Sequence, residues 1–165
     1  MKILFLHSGD RVPSARFRIL PFAARFREHG HQVKVAASFP QKYDYFPWLG
    51  FRPSQLLKKF VRWWHLLQCR WGRFDVAMID RELFDNPAWN WEAKLRKLVP
   101  VFVLDVDDAV FLRYPEKFDR LVQMSDLVVA GNSFLFEGLS PATPRTMIVA
   151  TCIAMQSYPA RLPTS

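Results

Sequence analysis

The chain has 165 residues, half of them hydrophobic, which is the size of one ordinary domain and excludes a disordered protein. Its formal net charge of +8 and its pI near 9.9 predict a surface that attracts polyanions, whether nucleic acid, anionic lipid or phosphorylated substrates. The two cysteines, Cys69 and Cys152, form neither a disulfide framework nor a metal-binding spacing, so we expect buried thiols in a reducing, cytoplasmic protein.

The N-terminal part of the chain predicts one strand-helix-strand unit. Short apolar runs at 2–7 and 32–37 predict buried strands, and the segment 14–29 between them carries an imperfect apolar stripe of helical period. Pro21 lies inside that helical segment and should kink or restart it, whereas Gly30 suits its left-handed end. A helix that joins two successive strands in this way implies that the strands are parallel.

The same alternation of strands and helices continues to the end of the chain. Further strands are predicted at 74–80, 101–105, 126–130 and 146–150, and further helices at 54–71, 89–98 and 115–124. The strands are uniformly apolar, which is typical of strands that helices cover on both faces. The sequence therefore predicts one doubly wound, mostly parallel, Rossmann-like α/β sheet over 1–153, followed by a linker-like tail at 154–165.

Polar residues follow four of the predicted strands. In chain order they are Ser8-Gly9-Asp10-Arg11, Asp80-Arg81-Glu82, Asp105-Val106-Asp107-Asp108 and Gly131-Asn132-Ser133. Each group alone is explained by a helix cap or a turn, because Ser, Asp and Asn satisfy the free amides at such junctions. Four groups at one edge of a parallel sheet favour a ligand-binding cleft. His7, which ends the first strand, could orient or deprotonate a hydroxyl there, or make a structural hydrogen bond.

Several well-known site motifs are absent from the sequence. The first loop lacks G-x-G-x-x-G and G-x-x-x-x-G-K-[ST], which argues against a dinucleotide or an ATP phosphate there. Neither G-x-S-x-G, H-E-x-x-H nor a metal-binding cysteine pair occurs, and no metal site is predicted. The Asp107-Asp108 pair, with Asp105 before it, leaves three interpretations: a divalent cation, a general base, or hydrogen bonds to backbone and arginine. The cation is the least favoured, because adjacent loop residues seldom point at one ion.

The order of these motifs resembles the N-terminal domain of retaining glycosyltransferases with the GT-B fold, which use nucleotide sugars. The resemblance covers nearly the whole chain, and its most specific segments are Asp107-Asp108-Ala109-Val110-Phe111 and Ala130-Gly131-Asn132. More general matches lie at 12–18, 30–33, 80–83 and 149–153. The chain departs from the family pattern around Thr151, where Ala150 stands in place of a usual proline and Ala154 in place of a usual acidic residue.

This resemblance implies a domain that presents the acceptor, while a C-terminal domain binds the nucleotide sugar and stabilises the departing diphosphate. The domain alone then binds no cofactor and transfers no sugar. Its partner is that C-terminal domain or, through the edge left exposed, a second copy of itself. Asp107 would be the catalytic residue that orients the acceptor hydroxyl, and Arg16 or Arg81 could hold a phosphate or carboxylate of the acceptor. The acceptor-binding residues would be Ser8, Gly9, Arg16, Arg81, Glu82, Asp108 and Asn132.

The segment from Trp48 to Phe74 is basic and aromatic. It contains six Lys or Arg, no acidic residue, four Trp and three Phe. We predict a helix at 54–71 with Ser54 as its N-cap. One broad face carries Leu56, Phe60, Trp63, Trp64, Leu67 and Trp71, and another carries Lys58, Lys59, Arg62 and His65.

Two interpretations of this helix stay open. It could be the crossover helix between the second and third strands, with its aromatic face packed on the sheet. Alternatively it lies in an anionic membrane interface, with Lys58, Lys59, Arg62, Trp63 and Trp64 facing the lipid. No apolar segment is as long as a signal peptide or a membrane span, so we expect a soluble or peripheral protein, on the inner face of the membrane in the second case.

Two other classes of function compete with an acceptor-binding transferase half. One is a non-catalytic binding or scaffold domain that kept the fold. The other, less favoured, is a nucleic-acid-binding protein that uses the 48–74 surface for phosphate contacts and base stacking.

Overall fold

In the part of the chain that the structure describes, six parallel strands form one sheet, and helices connect them. The computed structural model describes residues 1–41, 50–139 and 145–151. In chain order the strands are β1 (Lys2–His7), β2 (Gln32–Ala37), β3 (Val76–Asp80), β4 (Val101–Val106), β5 (Leu127–Ala130) and β6 (Thr146–Ile148). The helices are α1 (Leu20–Glu28), α2 (Phe51–Gly72), α3 (Asn90–Arg96), α4 (Pro115–Met124) and α5 (Ser133–Glu137). The predicted α/β class with a doubly wound, mostly parallel, Rossmann-like sheet is confirmed, while the predicted tail, Cys152 and Trp48 lie outside the described residues.

The helical segment after β1 runs from 13 to 28 and changes its hydrogen-bond period just before the proline. A π-helical turn (Ala15–Ile19) precedes α1, which begins at Leu20, so that Pro21 occupies the first turn of α1. The π-helical turn lies where a regular α-helix would require the amide that Pro21 lacks, and the amide of Leu20 donates to the carbonyl oxygen of Ala15. Gly30 follows α1 with φ +79°, a left-handed conformation that favours glycine.

The strand order, β2-β1-β3-β4-β5-β6, reverses direction once. The chain places β2 on one side of β1 and then returns past β1 to add the remaining strands on the other side. At such a reversal the loops that follow the two central strands diverge, which leaves a crevice at their carboxyl ends. The ends of β3 and β4 lie level, since Asp80 pairs with Asp105.

Alternate side chains of β1 face two different layers of helices. Leu4 of β1 belongs to the larger core, together with residues of α2, α3 and α4. Phe5, the next residue, packs on the opposite side against Ile19 and Ala23 of the segment that contains α1. Because successive strand residues point to opposite faces, an uninterrupted apolar run is buried on both.

Candidate functional site

A pocket of about 410 Å³ opens at the crevice where the strand order reverses. The loops after β1, β2 and β3 form its sides, and the first two turns of α2 complete it. Its lining combines hydroxyl and amide groups, charges of both signs and two aromatic rings, contributed by Ser8, Ser38, Gln55, Asn86, Lys58, Arg113, Glu82, Asp85, Phe51, Phe84 and Leu83. Of the acceptor-binding residues predicted from the sequence, Ser8 and Glu82 line this pocket.

The buried Lys117 of α4 holds one side of the pocket in place. Its Nζ donates hydrogen bonds to Oε2 of Glu82 at 2.9 Å and to the carbonyl oxygens of Phe84 at 2.6 Å and Asn86 at 3.0 Å. The carboxylate of Glu92 on α3 lies 3.4 Å from the same ammonium group. The loop after β3 is therefore ordered by a central cation before any ligand binds.

Beside the pocket, Arg81 gathers three carboxylates at the ends of β3 and β4. Its Nε lies 3.2 Å from Oδ1 of Asp80 and 3.3 Å from Oδ1 of Asp107, and its Nη1 lies 3.5 Å from Oδ2 of Asp108. Nη2 donates to the hydroxyl of Ser14 at 3.2 Å, and that hydroxyl donates to Asp80 at 2.8 Å. Arg81 adopts φ +61°, which is uncommon for a residue other than glycine. We call Arg81, Asp80, Asp107 and Asp108 the ionic cluster.

Asp107 is a partly buried carboxylate with altered acidity. Burial raises its pKa to about 6 against the opposing charge of Arg81, and the negative charges of Asp80 and Asp105 add to the rise. Its Oδ1 makes no hydrogen bond within the part of the chain that the structure describes, because the 3.3 Å contact with Arg81 lacks hydrogen-bond geometry. The Asp107 side chain as a whole is 18% exposed, and a carboxylate with a pKa near neutrality is suited to accept a proton from a hydroxyl.

Arg18 and Asp105 form a buried ion pair next to this cluster. Nε of Arg18 donates to Oδ2 of Asp105 at 2.8 Å, and Nη2 donates to Oδ1 at 2.5 Å, so the contact is bidentate. Nη1 donates to the carbonyl oxygen of Val149 at 2.7 Å and to the hydroxyl of Thr151 at 3.2 Å. The pair thus joins the π-helical turn to the ends of β4 and β6. Of the three interpretations given for this acidic group, Asp105 therefore matches hydrogen bonding to arginine, which is a structural role.

The remaining residues predicted for the first and last loops lie apart from the pocket lining. Gly9 adopts φ +146°, and a Cβ there would stand 2.7 Å from the Cβ of Gln41, so the loop requires glycine. Arg16 is exposed, with its guanidinium 5.5 Å from the ring centre of Phe17. Asn132 accepts a backbone hydrogen bond at 2.8 Å as the N-cap of α5, which is the capping alternative for that residue.

His7 is buried at the end of β1. Its Nδ1 accepts a hydrogen bond from the amide of Gly9 at 3.3 Å, and its Nε2 lies 3.5 Å from Oδ1 of Asp10. Burial lowers the pKa of the ring, so the neutral imidazole predominates near neutral pH. Of the two interpretations given for His7, the geometry therefore shows the structural hydrogen bond.

Arg62 of α2 was predicted to face a membrane, and that prediction is wrong. The side chain is only 1% exposed and donates to the carbonyl oxygens of Ala36 at 3.3 Å and His7 at 2.8 Å. Its guanidinium thus satisfies backbone oxygens where β1 and β2 end, and burial lowers its pKa to about 10. Arg62, which lies on the polar face of the helix, therefore binds α2 to the ends of β1 and β2 inside the domain.

The other residues of α2 divide between the pocket and the solvent. Lys58 lines the pocket, whereas Lys59, Trp63 and Trp64 are exposed. α2 is the crossover helix between β2 and β3, but the expectation that its aromatic face packs on the sheet is wrong. Its core contacts come from a different side of the helix, through Leu66 and the buried Cys69 among others.

Comparison with protein-family models and with curated proteins finds no match to this chain. The fold and the site by themselves define the class of protein, which is a Rossmann-like α/β domain with a polar pocket at its topological switch point. None of the described helices is long and apolar enough to cross a membrane. Within 1–41, 50–139 and 145–151, no three His, Cys, Asp or Glu side chains are grouped so that they could hold a metal ion.

Proposed function

We propose that this domain is the acceptor-binding half of a glycosyltransferase that moves a sugar from a nucleotide sugar to a cell-envelope or other glycan or lipid acceptor. The observation that carries the proposal is the polar pocket at the switch point of the sheet, where open α/β folds bind their ligands. The proposal places the domain in the cytoplasm. A C-terminal domain would bind the nucleotide sugar, and transfer would need both domains because the reacting atoms lie between them.

The pocket lining suits a ligand rich in hydroxyl groups. A hydroxyl both donates and accepts, so its recognition needs donors and acceptors side by side. Glu82 and Asp85 supply acceptors, Lys58 supplies donors, and Gln55 and Asn86 carry amides that do both. Two aromatic rings in the lining offer flat apolar surfaces to the C–H groups of a sugar ring.

In this proposal Asp107 orients and deprotonates the acceptor hydroxyl. With a pKa of about 6 it is mainly ionised near neutral pH and still basic enough to take a proton in the transition state. Arg81 lies against three carboxylates and acts as a positioning residue for Asp107. The acceptor would extend from the pocket to the ionic cluster, since Glu82 of the pocket directly follows Arg81 in the chain.

Saccharide binding tests this proposal. Isothermal calorimetry would compare a panel of neutral, phosphorylated and carboxylated mono- and disaccharides with a panel of nucleotide sugars. We expect at least one saccharide to bind and the nucleotide sugars not to bind. Gln55→Ala should weaken saccharide binding about fivefold, the effect of losing one hydrogen bond. Gln68→Ala, on the same helix but outside the pocket lining, should leave the affinity unchanged.

Two outcomes would overturn the acceptor role. One is nucleotide-sugar binding that Gln55→Ala weakens, because the pocket would then hold the donor. The other is failure of every saccharide in the panel to bind. A non-catalytic binding domain would share the pocket, and reconstitution separates it from a transferase half: labelled sugar should be transferred to the bound saccharide only when a C-terminal donor-binding domain is added. Asp107→Asn should abolish that transfer without changing saccharide affinity.

A further inference from the structure

The outward side of α2 is apolar although it faces solvent. We define the aromatic face of α2 as five large exposed residues, namely Leu56, Phe60, Trp63, Trp64 and Trp71. Phe60 and Trp71 are 60% and 66% exposed. The rings form pairs, with centres 5.7 Å apart for Phe60 and Trp63 and 6.3 Å apart for Trp64 and Trp71. A contiguous exposed apolar patch of this kind marks a contact surface.

The inward side of the same helix is polar along its first half. Ser54 and Arg62 are buried there, and Lys58 lines the pocket between them. A surface helix of a water-soluble domain normally has the opposite arrangement, with its apolar stripe inward and its charges outward. The polar side of α2 binds the strand ends, so packing among the described residues does not explain the aromatic face.

Cations border the aromatic face, and α2 itself contributes no carboxylate to it. Arg52, Lys59 and Arg70 are exposed and recur at intervals close to whole helical turns, which places them along one border of the face. α2 contains no Asp or Glu. Exposed tryptophans beside a row of basic side chains are the composition of helices that lie in the interface of anionic bilayers.

We propose that the aromatic face of α2 binds the surface of an anionic lipid bilayer. The helix lies parallel to the membrane, with its tryptophan rings at headgroup depth and Arg52, Lys59 and Arg70 against lipid phosphates. Charge complementarity selects this occupant, because a second copy of a chain with net charge +8 is repelled. The aromatic rings pair with one another, which leaves fewer open faces for stacked nucleic-acid bases.

The pocket lies at the N-terminal end of α2, where Phe51 is found. Phe51 is the first residue of α2, it is largely exposed, and it lines the pocket. The pocket mouth consequently lies at the N-terminal end of the helix that contacts the bilayer. The membrane surface is inferred from α2 alone and does not depend on what the pocket binds.

Vesicle flotation tests the inference. The full chain is mixed with vesicles of phosphatidylcholine alone or of phosphatidylcholine with phosphatidylglycerol, and we expect it to float only with the anionic vesicles. Lys59→Gln combined with Arg70→Gln should lower partitioning about 25-fold, since each cation near such a surface contributes about fivefold. Phe60→Gln combined with Trp63→Gln should abolish flotation. Phe134→Gln on α5, where the native ring is 67% exposed, should leave it unchanged.

Tryptophan fluorescence adds a direct readout of depth. Anionic vesicles should shift the emission of the wild-type chain to shorter wavelength, and brominated lipids should quench it. All variants should melt at the wild-type temperature, because the replaced residues are exposed.

Three results would overturn the inference. The first is no flotation with anionic vesicles, and the second is loss of flotation by Phe134→Gln to the same extent as by the α2 variants. The third is binding of a single-stranded oligonucleotide, or dimerisation in sedimentation, that requires the aromatic face while vesicles remain unbound. Gln55→Ala should float like the wild type, so a failure of saccharide binding and a failure of membrane binding are distinguishable.

Discussion

Replacement of Lys117 by methionine should destabilise the domain strongly. Its ammonium group is buried and lies within hydrogen-bond distance of the Glu82 carboxylate and of the carbonyl oxygens of Phe84 and Asn86. Removing one partner of a buried ion pair costs about 3–5 kcal/mol, because the other charge stays buried without compensation. That is a large share of the roughly 5–15 kcal/mol by which a domain is stable. Methionine occupies a similar volume, so cavity formation adds little.

Urea denaturation followed by circular dichroism measures this effect. For a chain of this size the expected loss corresponds to a fall of about 10 °C in Tm. Lys97→Met, at an exposed position, is the matched control and should change stability by less than about 0.5 kcal/mol. A second change, Glu82→Gln, should restore part of the loss in the Lys117→Met chain, because it removes the uncompensated charge. An effect of Lys117→Met as small as that of Lys97→Met would refute the central role of this cation.

Three further predictions concern the strand ends. Arg18→Met should lower the free energy of unfolding by about 3–5 kcal/mol, because Asp105 then loses its bidentate partner in a fully buried site. Asp105→Asn should recover part of this loss in a double-mutant cycle measured by urea denaturation, and strictly additive changes would contradict the pairing. Asp107→Asn should stabilise the fold by about 1–2 kcal/mol near pH 7 and hardly at all near pH 4. Burial raises the folded pKa of Asp107 to about 6, above its value in the unfolded chain, so the native state binds more protons and stability falls as pH rises between the two values. Urea melts at both pH values check this, and a benefit of equal size at each would count against it. Gly9→Ala should lower the free energy of unfolding by about 1–3 kcal/mol, because Gly9 adopts φ +146° and an added Cβ would stand 2.7 Å from Gln41. Thermal denaturation measures this loss, and an unchanged Tm would show that the loop relaxes.

The strands and their parallel arrangement follow from the sequence because their apolar runs are uninterrupted. Such a run is stable in water only if helices cover both faces, and that requirement leads directly to a doubly wound sheet. The change of helical period next to Pro21 is equally local, since it depends on one missing amide. The polar groups after the strands were also recognisable, and Ser8 and Glu82 among them line the pocket.

Most of the candidate site is not recognisable from the sequence because it joins distant segments. Gln55 lines the pocket from α2 and Arg113 lines it from the turn before α4, and nothing in their local sequence distinguishes them from solvated side chains. Lys117 left a weak signal, since it stands beside Phe118 and one turn before Leu121 on the buried stripe of α4. A lysine in that stripe indicates a buried anion nearby, although the sequence does not say which one.

The aromatic helix shows where local pattern ends and tertiary structure begins. Helical period determined from sequence alone that Trp63 and Phe60 share a face and that α2 has no carboxylate. Which side faces inward depends on what lies opposite, because the cost of burying Arg62 is offset only by the carbonyl oxygens of Ala36 and His7. The sequence by itself thus determined the class of sheet and the chemical character of each helix face. Only the tertiary structure decided the strand order that creates the pocket and the orientation that leaves the aromatic face in solvent, since both depend on partners far away along the chain.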